Sequence, residues 1–234
     1  MAFAELAETL ASDVGIDAYL TAACRNCVIL TGAASAAIVY PGGAAWAGPA
    51  IVSSGSEALW RDYTAAGFSA GPLAECMTTG QPIVAADLRA ESDRWPWFAK
   101  SALHAGLTTL TVLPISARTT VVGAMAILGD VAPDAADIDL ARSLAEAAGT
   151  GIFLNRELRR QENAVAQLQS ALNSRVVIEQ AKGILAERWK VAPDAAFEAL
   201  RRYSRKTQRR LPEVASAIID GSIEVAPPDT VPSA

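Results

Sequence analysis

The sequence has few of the residues from which catalytic and metal sites are usually built. Its 234 residues include one histidine, His104, and three cysteines, Cys24, Cys27 and Cys76. An odd number of cysteines in a chain without an export signal argues against a disulfide framework, and a lone CxxC pair lacks the further ligands of a zinc site. Cys24 and Cys27 also fall on the apolar positions of a helical pattern. We therefore expect buried, reduced thiols, no metal site and no catalytic residues.

Long apolar runs are also absent. Gly, Pro, Thr and charged residues interrupt every apolar stretch before it reaches the roughly 18 residues that a membrane helix needs. The first residues carry Glu5, Glu8 and Asp13, where a secretory signal would need basic residues followed by an apolar run. We expect a cytoplasmic protein that has no membrane partner.

Positive charge is scarce in the first two thirds of the chain. Residues 1–155 hold 15 acidic and 7 basic side chains, whereas residues 156–222 hold 13 basic and 8 acidic ones. Six of the ten residues from Arg201 to Arg210 are Arg or Lys, and none is acidic. Because charges are screened over about 10 Å, this segment acts through its own local field although the whole chain is acidic. The pattern predicts a polyanionic partner.

Helix and strand patterns alternate in the first half of the chain. Apolar residues recur at helical spacing in some segments, and short apolar runs bounded by Gly and Pro occur in others. Short antiparallel strands with helices packed outside them indicate an α+β domain built on one sheet. The predicted helices cover residues 3–31 and 71–79, and the predicted strands cover residues 35–40, 44–54, 81–85, 108–116 and 120–128.

A series of short motifs in this half resembles the GAF sensor domain. The resemblance implies a GAF-like domain over residues 1–150, with a PAS-like fold that often holds a small molecule between the sheet and its covering loops. The ligands differ among members, so it predicts an unidentified small-molecule ligand and no particular cofactor. The motifs are Gly71-Pro72-Leu73-Ala74-Glu75-Cys76, Thr79-Gly80-Gln81-Pro82-Ile83-Val84, Asp87-Leu88, Arg94-Trp95-Pro96, Ala105-Gly106-Leu107, Leu113-Pro114-Ile115 and Val122-Gly123-Ala124.

Aromatic residues near position 95 allow two interpretations. Trp95, Trp97 and Phe98 either cap the core under a long loop or line the ligand pocket of the sensor. His104 lacks an identifiable second partner for haem. Some GAF-fold proteins are methionine sulfoxide reductases that use cysteines, so Cys76 keeps an enzyme alternative open.

A heptad pattern begins at residue 140 and predicts a long helix. One interpretation is a homodimer through the whole of residues 140–172. The alternative is that the first half of the helix packs on the sensor sheet and only the part after Leu154 pairs with a partner chain. In both cases residues 151–173 form a linker helix that can transmit a signal. The seam positions are Leu140, Leu144, Ala147, Gly151, Leu154, Leu158, Gln161, Val165, Leu168 and Leu172.

Residues 174–222 contain three helical patterns, which predict a small three-helix bundle. The first pattern ends near Trp189, Asp194 is placed to cap the second, and Pro212 begins the third, which Gly221 ends. The tail from residue 223 to residue 234 is rich in Pro and poor in residues that pack, so we expect it to be disordered.

This bundle resembles the ANTAR domain, an RNA-binding output module of bacterial transcription antiterminators. The resemblance implies a homodimer that binds paired hairpins in nascent RNA, so that the terminator does not form. It also implies that Gly183 permits a close approach between helices. The motifs are Ile178-Glu179-Gln180-Ala181-Lys182-Gly183-Ile184-Leu185, Ala196-Phe197, Leu200-Arg201-Arg202-Tyr203-Ser204, and Leu211 with Val214-Ala215.

Exposed cations and rings in this module are the candidates for RNA contact, because cations neutralise phosphates and rings stack on loop bases. Tyr203 is as compatible with a core position as with contact to RNA. Lys182 is also compatible with being a solvated charge on the helix surface. A DNA-binding regulator remains the alternative function. A phospho-receiver is not indicated, since the sequence lacks the early acidic pair and the late lysine. The predicted RNA-binding residues are Lys182, Arg201, Arg202, Tyr203, Ser204, Arg205 and Arg209.

Overall fold

The computed structural model describes residues 15–41, 49–66 and 70–227. The chain divides into two compact units, Met1–Arg159 and Arg160–Ala234. One helix, α5 (Ala135–Trp189), begins in the first unit and ends in the second, so the predicted linker 151–173 is the middle of a longer helix. The start of the predicted helix 3–31, before residue 15, lies outside the described residues.

The first unit is built on a five-stranded sheet in the order β2-β1-β5-β4-β3. Every neighbouring pair of strands is antiparallel, which confirms the predicted α+β fold class. The elements before α5 are α1 (Ile16–Thr31), β1 (Ser35–Pro41), β2 (Pro49–Ser54), α2 (Glu57–Ala65), α3 (Pro72–Thr79), β3 (Ile83–Ala85), α4 (Pro96–His104), β4 (Thr109–Ala117) and β5 (Thr120–Gly129).

The two faces of this sheet bury separate cores. Side chains alternate across a strand, so in β1 Ile38 and Tyr40 face one core while Ala37 and Val39 face the other. The first core lies under α1 and the beginning of α5, and the second lies under α2, α3 and α4. The first unit, which we call the sensor unit after the family it resembles, is therefore a sheet covered by helices on both faces.

The first half of α5 packs within its own chain. Leu144, Ala148 and Ile152 belong to the first core, and a β-carbon at Gly149 would lie 2.3 Å from the carbonyl oxygen of Ser116. The prediction of a dimer seam along all of residues 140–172 is wrong in this part, because a face buried against the sheet cannot also pair with a partner. The seam is exposed from Leu154 onward, as in the alternative interpretation.

The second unit contains the end of α5, α6 (Pro193–Thr207) and α7 (Leu211–Ile219). These three helices bury one core that includes Leu185, Leu200 and Ile218, which confirms the predicted three-helix bundle. The predicted cap at Asp194 is wrong: the N-cap is Ala192, and Pro193 takes the first helical position, where its missing N–H leaves no helical bond unmade.

The segment after α7 is packed at its beginning, contrary to the predicted disordered tail. Val225 is buried in the core of the second unit, and Ile223 packs against the same core. The backbone N–H groups of Ser222 and Ile223 donate to the carbonyl oxygen of Ala217, at 2.9 and 3.2 Å. Residues 228–234 lie outside the described residues. The two apolar side chains, Ile223 and Val225, hold this segment against the core. The prediction of disorder rested on the proline content and did not take these two residues into account.

Candidate nucleic-acid interface

Five cations lie exposed at the end of α6 and in the turn that follows it. Arg202, Arg205 and Lys206 occupy the last turns of α6, and Arg209 and Arg210 connect α6 to α7. Within the described part of the chain, none of the five pairs with a carboxylate. We call these five residues the basic face. Cations at a helix C-terminus also interact favourably with the helix dipole. These five exposed cations are numerous enough to bind a polyanion.

Two predicted contact residues are instead held in ion pairs. Arg201 places Nη1 2.9 Å from Oε1 of Glu198, and its guanidinium lies 5.8 Å from the ring centroid of Phe197. Lys182 pairs with Glu179 and has a side chain that is only 21% exposed. Exposed pairs of this kind are worth less than about 1 kcal/mol, so a phosphate could displace the carboxylates. Both cations are nevertheless less available than the basic face.

Ser204 connects the last turn of α6 to the turn that carries Arg209. Its hydroxyl donates to the carbonyl oxygen of Arg209 at 2.6 Å, and the Arg209 N–H donates to the Ser204 carbonyl at 3.2 Å. Between them, Gln208 has a left-handed backbone with φ of 52°. The Ser204 hydroxyl therefore fixes the backbone from which Arg209 projects.

Tyr203 is half-buried and packs against the core of the second unit. Its contact with RNA stays a prediction. Lys206 and Arg210 belong to the basic face but are not among the residues predicted from sequence to contact RNA. The signal was present, because both belong to the run of six cations.

Within the single chain, Gly183 does not lie at a close helix approach of the kind that the resemblance implies. It is exposed, and a β-carbon built there would have no heavy atom within 4 Å. The contact that needs a small residue here is absent from the described part of the single chain.

The aromatic residues of the sensor unit are divided between core and surface. Trp95 and Phe98 are buried, whereas Trp97 is 41% exposed and lies with its ring centroid 6.0 Å from that of Tyr63. Trp97 and Phe98 lie on α4, which begins at Pro96, and Trp95 directly precedes this helix, so the predicted long loop does not extend over residues 97 and 98. A ligand role for these three residues stays a prediction.

A separate cavity of about 140 Å³ lies at the ends of α1 and β5, lined in part by Thr31, Gly32 and Val131.

The three cysteines are buried and free. Burial raises the pKa of Cys27 and of Cys76 to about 11, and that of Cys24 further above its ordinary value. The Cys24 thiol donates to the carbonyl oxygen of Val52 at 3.7 Å. Because the thiolate is the reactive form, these sites disfavour cysteine chemistry. Among the described residues, no three His, Cys, Asp or Glu side chains converge to hold a metal ion.

The helices that the structure describes include none with the length and apolar content to cross a membrane.

Comparisons with known proteins agree with this architecture. Among solved structures, the GAF domain of a phosphoenolpyruvate-protein phosphotransferase from Coxiella burnetii matches with a TM-score of 0.52 and 11% identity, over 68% of this chain and 95% of that one. The corresponding GAF domain from Acinetobacter matches with a TM-score of 0.50 and 10% identity, over 67% and 93%. A methyl-accepting chemotaxis protein, residues 122 to 287, gives 0.50 and 16%, over 68% and 98%. At these identities the likeness shows the fold alone.

A search of curated protein sequences returned no match. The sequence profile of the GAF domain matches residues 5–152, and that of the ANTAR domain matches residues 166–219. Both resemblances noted in the sequence are confirmed. The chain therefore belongs to the GAF domain family and carries an ANTAR domain after its GAF domain.

Proposed function

We propose that this GAF and ANTAR regulator binds paired hairpins in nascent RNA and acts as a signal-responsive transcription antiterminator in the cytoplasm, where transcripts are made. The observation that carries the proposal is the basic face of the ANTAR module. It concentrates five exposed cations, none paired with a carboxylate of the described residues, in a chain whose net charge is −5. Such a cluster neutralises phosphates and releases their counterions, which is the main source of affinity for nucleic acid.

The position of the charges favours RNA over duplex DNA. Helix-turn-helix proteins insert the N-terminal residues of a recognition helix into the major groove. Here the N-terminal turn of α6 carries the exposed Asp194, which phosphates would repel. The cations lie at the other end of α6 and in the turn, where they can hold the flanks of an RNA loop. DNA binding remains the alternative function.

An exposed apolar stripe on α5 supports a homodimer. Leu154, Leu158, Val165, Leu168 and Leu172 are between 48% and 66% exposed, at the spacing of a coiled-coil seam. We propose that two chains pair through residues 154–172, which gives one basic face to each of two hairpins. Because α5 begins in the sensor unit, a small-molecule signal there could change the pairing of the stripe.

The proposal is tested with a leader RNA that carries two hairpins. Replacing Arg202 and Arg205 with Ala should weaken binding by about 1–3 kcal/mol for each residue and reduce the dependence on salt. Arg142→Ala removes one exposed cation from the sensor unit and serves as the control, with unchanged affinity. If the double variant binds RNA as tightly as the native chain, the basic face is not the RNA-binding surface. Binding of duplex DNA that hairpin RNA does not displace would favour the alternative.

An enzymatic role has less support. GAF and ANTAR domains are regulatory domains, and the only argument for a reductase is the presence of cysteines. Turnover of free methionine sulfoxide that Cys76→Ser abolishes would establish the enzyme. We expect no turnover, because the Cys76 thiol is buried and its pKa is raised to about 11.

A further inference from the structure

The exposed stripe on α5 does not end at Leu172 but continues into the ANTAR module. Val176 is 55% exposed, and Gln180 and Gly183 are exposed in line with it. The steps from Leu168 to Leu172, to Val176 and to Gln180 are four residues each, whereas a strict heptad would place Arg175 after Leu172. Successive steps of four depart from the heptad in the manner of a stutter, which locally unwinds a left-handed coiled coil. The seam therefore changes phase as it enters the module.

Gly183 is a second observation in favour of extending the stripe into the ANTAR module. Glycine inside a helix costs about 1 kcal/mol relative to alanine, and no atom of the described chain comes near the place of its missing side chain. Among the residues that the structure describes, none requires a glycine here. A second helix that approaches the backbone closely would require it.

The length of the stripe also indicates what covers it. Residues 154–172 span fewer than three heptads and include the polar Gln161, which is short for a coiled coil that usually sustains three or four. Extension to Gly183 brings the seam to more than four heptads. Because the seam is continuous along one helix, the partner that pairs with its first part also meets its second.

RNA fits this surface less well than the basic face. The stripe itself carries no cation, and beside it Lys182 and Lys190 are paired with Glu179 and Glu187. Arg175 is an exposed cation next to the stripe for which the described residues show no ion pair, whereas the basic face concentrates five.

We infer that Val176, Gln180 and Gly183 form a direct contact between the ANTAR modules of two copies of this chain. The inference rests on the proposed dimer and adds to it. It states that the modules are joined to each other rather than held only by the linker. The separation of the two basic faces is then fixed, which suits an RNA that presents two loops at a set distance.

Single cysteines introduced along α5 of the full-length protein test this contact. Two seam residues of a parallel pair come close enough for a disulfide, whereas Asn163 lies on the opposite face of the helix. Oxidation with diamide, which takes two electrons and two protons from each pair of thiols, should cross-link Val165→Cys and Gln180→Cys but not Asn163→Cys. The native cysteines are buried and should not interfere.

The outcomes separate the two proposals. If Val165→Cys fails to cross-link, the proposed dimer is wrong. If Val165→Cys cross-links and Gln180→Cys does not, only the contact between modules is overturned. Equal cross-linking of Asn163→Cys would indicate random collision and would also overturn it. As a second measurement, Gly183→Leu should weaken dimerisation about tenfold or more in sedimentation equilibrium while the helix content is unchanged. An unchanged dimer would contradict the contact.

Discussion

The ring of Tyr19 occupies the place where residue 151 would carry a side chain. A β-carbon at Gly151 would lie 2.3 Å from Cε1 of Tyr19, and the Tyr19 hydroxyl donates to the carbonyl oxygen of Ala147 at 2.8 Å. The tyrosine therefore joins α1 to α5 by both packing and a hydrogen bond, immediately before the exposed stripe begins at Leu154. This contact fixes the position of α5 against α1 within the sensor unit.

Gly151→Ala should destabilise the sensor unit, because the methyl group cannot enter the space that the Tyr19 ring fills. We expect a loss of about 1–3 kcal/mol, the usual cost of overpacking, measured by urea unfolding. Thr150→Ala is the control, since Thr150 is the exposed neighbour in the same helix. Equal stability of the Gly151 and Thr150 variants would show that Tyr19 moves aside freely.

Glu75 should make the stability of the sensor unit depend on pH. Hydrogen bonds from the Arg94 guanidinium hold the pKa of Glu75 below its ordinary value of 4.5, and the Trp95 indole N–H, 3.1 Å away, adds to this effect. A lowered folded-state pKa stabilises above the unfolded value, and the contribution disappears as pH falls through the folded value. Glu75→Gln should therefore lower Tm by roughly 1–3 °C at pH 7.

The same comparison at lower pH provides the check. Below pH 4.5 the difference in Tm between the native chain and Glu75→Gln should shrink, since the native carboxylate also becomes protonated. A difference that stays constant from pH 7 to pH 3 would show that Glu75 acts by its shape rather than its charge. Asp87→Asn is a suitable control, because Asp87 forms an exposed pair with Arg89.

The central strands could be predicted from sequence, whereas two helices could not. The apolar runs of β1, β4 and β5 are long, bounded by turn residues and buried on both faces. The helix Glu57–Ala65 makes only about two and a half turns, and its three buried residues, Leu59, Trp60 and Tyr63, are too few to establish a helical period. The helix Pro96–His104 begins within the pair Trp95-Pro96, and such a pair is also typical of a loop. Short helices are stabilised mainly by tertiary packing. The local pattern of apolar residues in the sequence contains no information about that packing.

The candidate site was predictable in its charge but not in its geometry. A run of cations is visible in the sequence, yet the pairing of Arg201 with Glu198 depends on which rotamers the helix allows. The hydrogen bond between Ser204 and Arg209 depends on the left-handed turn at Gln208, a residue whose type does not demand it. Sequence therefore identified the basic segment, and structure distinguished free cations from engaged ones.

Val225 should contribute to the stability of the ANTAR module although it follows the last helix. Its side chain is 8% exposed and fills the core between the helices. Val225→Ala removes two methyl groups from that core, so we expect a loss of about 1–2 kcal/mol in thermal or urea unfolding. Glu224→Ala changes the exposed neighbour and should have no effect. A Val225 variant as stable as the Glu224 variant would mean that the segment after Gly221 is dispensable.

Ser204 should affect RNA binding through Arg209 rather than by contact with RNA. Ser204→Ala removes the hydroxyl that fixes the Arg209 backbone, so the turn becomes looser and affinity for the two-hairpin RNA should fall. The loss of one hydrogen bond is worth about 0.5–1.5 kcal/mol. Ser204→Thr keeps a hydroxyl at the same position and should restore most of the affinity.

A double-mutant cycle distinguishes the two roles of Ser204. If the hydroxyl acts only by positioning Arg209, then Ser204→Ala has no further effect once Arg209→Ala has removed the guanidinium, and the two losses are not additive. If the hydroxyl contacts RNA itself, the losses add. Affinities of the native chain, the two single variants and the double variant, measured at one salt concentration, give the coupling free energy. We expect that energy to equal most of the Ser204→Ala effect, because in the folded chain the hydroxyl donates to the Arg209 carbonyl rather than to solvent.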